Sequence, residues 1–369
     1  MTYFDHNATT PIDDRVLDAM LPFLKSFYGN PSSLYRHGRI ARSAIDAARE
    51  QVAALVDAQS SQIIFTSGGT ESNNLALATL PLNGRLAISA VEHPSITEPA
   101  LRLKRLGTEL NIIYVDANGL ITQSAMDKVV KEKPDLVSIM LANNETGVIQ
   151  DLVPYTKQLR ANGIMVHTDA VQALGKIPVS FRQLGVHLMS LSSHKIYGPK
   201  GCGALVFEKG VEIKPVFLGG GQEHELRAGT ENVAAIVGFG KAAELAKAEL
   251  AKRSEQLLAL RELLEAGLTT ITGVSIFAQQ SERLPNTVQF GIPEIDGEML
   301  LMKLDKKGFA VSSGSACASG GSIPSPVLIA MGVEVSLAKS AIRISLGQAN
   351  TKAEVFEFIN LLKALVRQA

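Results

Sequence analysis

From Ile63 to Leu191 the chain repeats one unit, a short run of apolar residues followed by a stretch with helical spacing. The apolar runs are Ile63 to Thr66, Arg85 to Ser89, Asn111 to Val115, Leu136 to Leu141, Ile164 to Thr168 and Val186 to Leu191. Helical stretches such as Ser72 to Leu80, Thr97 to Leu106 and Leu152 to Ala161 separate them. Apolarity that is continuous rather than alternating means that both faces of each strand are covered, which predicts a mostly parallel sheet between helical layers. In such sheets ligands bind beyond the carboxyl ends of the strands, so the loops that follow the strands hold the candidate site residues.

The flanking regions read differently. Tyr3 to Pro11 is extended and aperiodic, and Asp13 and Asp14 then open an amphipathic helix to about Phe27, their carboxylates at the positive end of its dipole. Gly29, Asn30 and Pro31 stop it, and a second helix is expected from Tyr35 to Val56. A long helix from Glu231 to Ala266, ending at Gly267 as a C′ glycine, is expected to connect a large domain to a smaller one. Beyond it, Gly273 to Phe277 and Asn286 to Phe290 read as strands, and Gly297 to Lys306 and Thr351 to Arg367 as helices. The division expected is an extended segment 1–13, a large domain 14–255 and a small domain 256–369.

With 369 residues and 46% hydrophobic content there is enough apolar surface for two cores. Lysine plus arginine and aspartate plus glutamate both number 36, so no net field attracts nucleic acid or a membrane surface. No uncharged apolar run approaches the roughly 18 to 20 residues that cross a bilayer, and MTYFDHNATTP lacks the order of a secretory signal, so a soluble, cytoplasmic protein is expected. Two cysteines make no disulfide framework.

Of the strand-end loops, LSSHKIYGPKGCG (191–203) fixes Lys195 between Ser192, Ser193 and His194 and a glycine-rich turn, as a Schiff-base lysine requires. TSGGTESNN (66–74) places Gly69 and the hydroxyls of Thr70 and Ser72 at a helix N-terminus suited to a phosphate, without the frame of a nucleoside triphosphate loop. AVEHPS (90–95) presents His93 either to a planar ring or to a backbone carbonyl, and NNETGV (143–148) presents amides that fit an anion or an ordinary turn. HTDAVQA (167–173) ends a strand with Asp169, a buried carboxylate that calls for a cation such as a pyridinium or else caps the next segment, with Gln172 three residues on.

Further along, Arg227 and Thr230 could meet an anion, and Arg343, inside the strand-like AIRISLG, fits a substrate carboxylate or a structural ion pair. Five serines and three glycines surround Cys317 in VSSGSACASGGS, which places its thiol on an exposed, mobile loop as a reactive group. Cys202, between glycines before an apolar run, fits a buried inert thiol.

Taken together, DHNATTP, GNPSS, TSGGTESNN, EHPS, NNETG, DAVQ, SSHKIYGPKG, RAGTEN, SSGSACASG and IRISLG resemble, in order and over nearly the whole chain, the cysteine desulfurases of the NifS/IscS group. The resemblance implies an α/β fold, the fold type I of pyridoxal 5'-phosphate (PLP) enzymes, with a seven-stranded, mostly parallel sheet and a smaller α+β domain. It implies that Lys195 forms the Schiff base and moves the substrate α-proton, that His93 stacks on the ring, that Asp169 pairs with the pyridinium nitrogen and that Gln172 meets the phenolic oxygen. Gly69, Thr70, Ser192 and His194 would hold the phosphate, with Thr230 reaching in from the second subunit of a homodimer, and Asn144 and Arg343 would bind the substrate carboxylate. L-cysteine would yield L-alanine and a Cys317 persulfide, passed on to an iron–sulfur scaffold or sulfur carrier. Where many members have Leu-Glu-Pro-Ser after the cysteine, this chain has Ser322, Ile323, Pro324 and Ser325, without the acidic residue. A selenocysteine lyase or other fold type I enzyme, and a non-catalytic persulfide carrier, are the alternatives.

Overall fold

The computed structural model describes residues 1–313 and 324–367. Among them, seven strands form the main sheet in the spatial order Ile63–Thr66, Gly203–Phe207, Leu188–Ser192, Met165–Asp169, Leu136–Ser138, Arg85–Ser89, Glu109–Ile113. Neighbours are parallel except along Gly203–Phe207, which runs antiparallel to both of its partners. The sheet is buried on two sides because successive residues face opposite ways. Ile63, Phe65, Val137, Met189, Leu191 and Val206 join one core, while Ile64, Leu86, Ile88, Leu136, Leu188 and Leu205 join another. Helices Arg36–Leu55 and Val233–Leu268 close the first side through Ile45, Val52 and Phe239. Helices Gly69–Leu77 and Pro94–Arg105 close the second through Leu75, Leu77 and Ile96.

Several element limits differ from the sequence expectation, each for a local reason. Helices Gly69–Leu77 and Pro94–Arg105 each begin three residues early, because Gly68 and His93 act as N-caps and proline is at home in a first turn. The helix that the repeat implies between Asn111–Val115 and Leu136–Leu141 is Gln123–Glu132, capped by Thr122. Gly267 is not a C′ glycine: the long helix runs through it to Leu268, and a Cβ there would collide with Ile359. Its small size serves helix packing rather than termination.

A second, four-stranded antiparallel sheet has the order Ser312–Ser313, Ile342–Ser345, Thr287–Gly291, Ser275–Ile276. The N-terminal segment belongs with it. Thr2–Tyr3 pairs with Phe309–Ala310, and Phe4 packs at 5.8 Å ring-centroid distance on both Phe309 and Phe358. The same segment then crosses to the main sheet, where Thr10 N–H donates to His194 O (3.1 Å) and Asp13 N–H to Tyr197 O (3.0 Å). The long helix links the cores in parallel, its Ala234–Ala246 half packing in the main core and Leu257–Leu268 in the smaller one. Among the described residues no helix is long and apolar enough to cross a membrane.

The two long helices approach each other tightly at Gly240, where an added Cβ would lie 2.6 Å from Ala48 Cα. Since backbone cannot swing away, Gly240→Ala is expected to destabilise the fold by about 1–3 kcal/mol. The check is a urea melt, and a wild-type midpoint would contradict the packing.

Candidate functional site

The Leu188–Ser192 strand passes directly into a single turn of 3₁₀ helix, Ser193–Lys195, rather than into an irregular loop. That turn aims the Lys195 amine at the N-terminal segment, and Nζ donates to Asn7 O (2.5 Å) and Ala8 O (2.7 Å). Asn7 is a hub that was not recognised in the sequence. Its Nδ2 donates to Asn144 O (3.1 Å) and Thr287 Oγ1 (2.9 Å), and its Oδ1 accepts from Lys176 Nζ (2.9 Å) and Asn286 Nδ2 (3.1 Å). Gln172 Nε2 donates to the same Asn7 carbonyl at 3.0 Å, and Gln172 Oε1 accepts from Lys176 Nζ at 2.7 Å. Burial, followed by the charges of Lys195 and Arg343, pushes the Lys176 amine well below its usual range.

One strand away, Asp169 ends Met165–Asp169 and is 5% exposed. Neutral donors hold its carboxylate. Asn73 Nδ2 donates to Oδ2 (2.7 Å) and the Val171 N–H to Oδ1 (2.9 Å). The Asn73 amide also donates to Ser95 Oγ (2.8 Å), which lies 2.8 Å from His93 Nδ1. His93 Nδ1 accepts from the Ser95 N–H at 3.1 Å, so the neutral ring carries its proton on Nε2. Burial lowers the His93 pKa, the Asp169 charge opposes that, and Lys195 and Arg343 add to it. Carboxylate and imidazole are thus tied together through Asn73, another residue missed in the sequence.

A cleft of about 320 Å³ opens beside these groups, lined by Thr9, Gly68, Gly69, Thr70, Ser192 and His194 among others. Gly68 has φ +151°, and a Cβ on Gly69 would lie 2.9 Å from Val171 Cγ2, so the cradle is built from backbone. The helix of Gly69–Leu77 makes its first internal bond from Ser72 N–H, leaving the preceding amides for an acceptor. Ser192 Oγ is buried with no protein partner, a donor left for the same acceptor. The His194 ring, Nδ1 3.1 Å from Thr9 Oγ1, has its pKa lowered to about 4 by burial and then by Lys195 and Lys200. This donor set fits a phosphoryl group.

Other candidates for an anion are already engaged. Ser72 Oγ turns inward to Thr66 Oγ1 (2.7 Å) and Gly68 O (3.1 Å), and Arg227 pairs with Glu71 (2.8 Å). Thr230 is exposed and is not among the residues lining this cleft.

Arg343, 3% exposed, makes the structural ion pair weighed as its alternative role, with Asp5 Oδ1 at 2.7 Å. It also donates to Asn144 O at 3.2 Å, and its Nε is buried without a partner. Ser312 stands opposite Arg343 in the small sheet, and Ser325 donates to Glu145 Oε2 at 2.5 Å. Cys317, between those two serines in sequence, lies outside the described residues. Cys202 is 2% exposed, and burial pushes its thiol far up, as fits an inert group.

A family model described as aminotransferase class-V matches residues 2–358. The chain is 44% identical to a cysteine desulfurase IscS of Dictyoglomus turgidum, over 99% of this chain and 94% of that protein. It is 40% identical to a cysteine desulfurase IscS of Methanosarcina thermophila, over 99% and 92%. Among solved structures, a NifS-like protein superposes with a TM-score of 0.93 at 38% identity, covering 100% of both chains. A structure of SspA in complex with cysteine superposes with a TM-score of 0.83 at 30% identity, covering 95% of this chain and 100% of that one.

Glu145 gives this region a measurable pH signature. Burial raises its pKa from the ordinary 4.5 to about 7, against the lowering effect of Ser325 and Gln289. Its proton is held more tightly in the fold than in the unfolded chain, so its contribution to stability is full below pH 4.5 and is lost as pH rises through 7. Glu145→Gln removes that dependence. Relative to wild type it is expected to gain up to about 3 kcal/mol between pH 4.5 and 8, read from urea midpoints. An unchanged difference across that range would contradict the buried carboxyl.

Proposed function

This chain belongs to the class-V aminotransferase family and is a cysteine desulfurase, and from that premise we propose that Lys195 holds PLP and that Cys317 receives sulfur from L-cysteine. The observation that supports the assignment is that the charges of Asp169 and Lys195 both act on His93, while Ser192 and His194, next to Lys195 in the chain, line a backbone cradle in which the Ser192 hydroxyl has no protein partner. Bound PLP supplies an electron sink that acidifies the substrate α-carbon.

The residues divide the remaining work. Thr70, Ser192, His194 and the amide of Gly69 hold the phosphate, completed by the partner subunit's Thr230 in a cytoplasmic homodimer. Asp169, already anchored by Asn73 and Val171, has lone pairs left to keep the pyridine nitrogen protonated. Gln172 would give the Nε2–H not used by Asn7 O to the phenolic oxygen, and His93 would stand against the ring with its Nε2–H available to move a proton. Arg343, fixed by Asp5 and by the Asn144 carbonyl, presents its guanidinium edge to the α-carboxylate alongside Asn144. Lys195 Nζ takes the α-proton, and the Cys317 thiolate attacks the substrate sulfur. An S–S bond forms as the Cβ–S bond breaks, Cβ gains a proton, and Lys195 Nζ returns its proton to Cα, giving L-alanine and a Cys317 persulfide. The outer sulfur then passes to an acceptor thiol on an iron–sulfur scaffold or sulfur carrier.

The test is incubation of the purified, PLP-loaded protein with L-cysteine, followed by intact mass and alanine assay. One added sulfur on Cys317 with matching alanine is expected. Cys317→Ser is expected to keep the yellow colour and slow alanine formation at least about 100-fold. Alanine formed at the wild-type rate by that variant would exclude Cys317 as the sulfur acceptor.

A further inference from the structure

Lys176 is a buried amine outside the sulfur chemistry just described. It is 6% exposed, and among the described residues no carboxylate lies within ion-pair distance of it. A methionine or leucine would fill such a site without the several kcal/mol that a buried amine costs. Retention of the amine therefore points to its three donors.

Their targets are two amide oxygens. The chain from Ala170 to Ile177 makes a helical turn, with Leu174 N–H donating to Ala170 O (3.0 Å) and Ile177 N–H to Ala173 O (3.1 Å). Gln172 and Lys176, four residues apart, thus share one face. Nζ donates to Gln172 Oε1 at 2.7 Å and to Asn7 Oδ1 at 2.9 Å. The two ends of a side-chain amide have almost the same shape, so shape alone does not choose between the two flips. An amine whose N–H groups face that point does choose, because only the oxygen can meet it.

With Oε1 turned to Lys176, Gln172 must point Nε2–H at the Asn7 carbonyl, the one that also receives Lys195 Nζ. With Oδ1 turned to Lys176, Asn7 must point Nδ2 at Asn144 O, which also receives Arg343. A flipped Gln172 would instead set oxygen against oxygen.

We propose that Lys176 is a positioning residue that fixes the amide orientation of Gln172 and Asn7, and through them the placement of Lys195 and Arg343. The inference rests on the assignment of Lys195 as the PLP-binding lysine. Its test uses three variants of the loaded enzyme, Lys176→Met, Lys176→Leu and Lys176→Arg, with melting of the cofactor-free chains to establish that each folds. The neutral variants are expected to move the pH midpoint of the visible band of lysine-bound PLP by at least about 0.5 unit. They should also lower kcat roughly 10-fold while KM for L-cysteine stays within about 3-fold. Lys176→Arg, which keeps donors on both oxygens, should restore the wild-type midpoint.

A folded neutral variant with the wild-type midpoint would overturn the proposal, as would an arginine variant that behaves like methionine. Failure of both neutral variants to fold would also overturn it, by reducing Lys176 to a structural role. A wild-type protein that forms no lysine-bound band would instead refute the PLP assignment itself.

Discussion

The backbone carbonyl of Asn7 is the point on which the site depends. Lys195 is 188 positions away from it in the chain and Gln172 165, yet both donate to it. It stays in place because its own segment is fastened at two ends. Upstream, Phe4 is buried among Phe309 and Phe358 in the smaller core, and downstream Thr10 and Asp13 bond to the backbone around Lys195. A segment of this kind has little stability of its own, and the order it shows is paid for by the two cores it joins. The geometry at Lys195 is therefore a property of how both sheets are assembled.

Around that carbonyl the protein concentrates groups that are expensive to bury. Asp169 and Arg343 are at most 5% exposed, Lys176 6%, and most of their polar atoms are answered by neutral amides or backbone rather than by opposite charges. Neutral donors hold a charged group without cancelling it. Asp169 takes its hydrogen bonds from the Asn73 amide and a backbone N–H. Arg343 is the contrasting case, since Asp5 already balances it.

The strands were legible because their apolarity is continuous, and their loops pointed to the right neighbourhood because parallel strands end together. Helix starts were misplaced by one turn because Gly68 and His93 are poor matches to a cap pattern built on serine and aspartate. Gly267 misled for the converse reason, a glycine chosen for a neighbouring side chain rather than for its own backbone. Asn73, Asn7 and Lys176 carried no visible signal. Each matters through side-chain contacts with residues 22 to 280 positions away, with the single exception of Lys176 and Gln172, whose four-residue spacing lies in a stretch without a helical pattern in the sequence. Asp169 stands out in sequence for its burial, but Asn73, 96 positions upstream, is a hydrogen-bond partner that no local pattern announces.

Two lysines touch this network, and the account assigns them opposite fates. Lys195 donates to the backbone carbonyls of Asn7 and Ala8, whereas Lys176 donates to the side-chain amide oxygens of Gln172 and Asn7. Reducing the PLP-loaded protein with borohydride and mapping the modified peptide by mass spectrometry separates the two directly. The phosphopyridoxyl group is expected on Lys195, with Lys176 recovered unmodified. The group found on Lys176, or on neither, would contradict the arrangement.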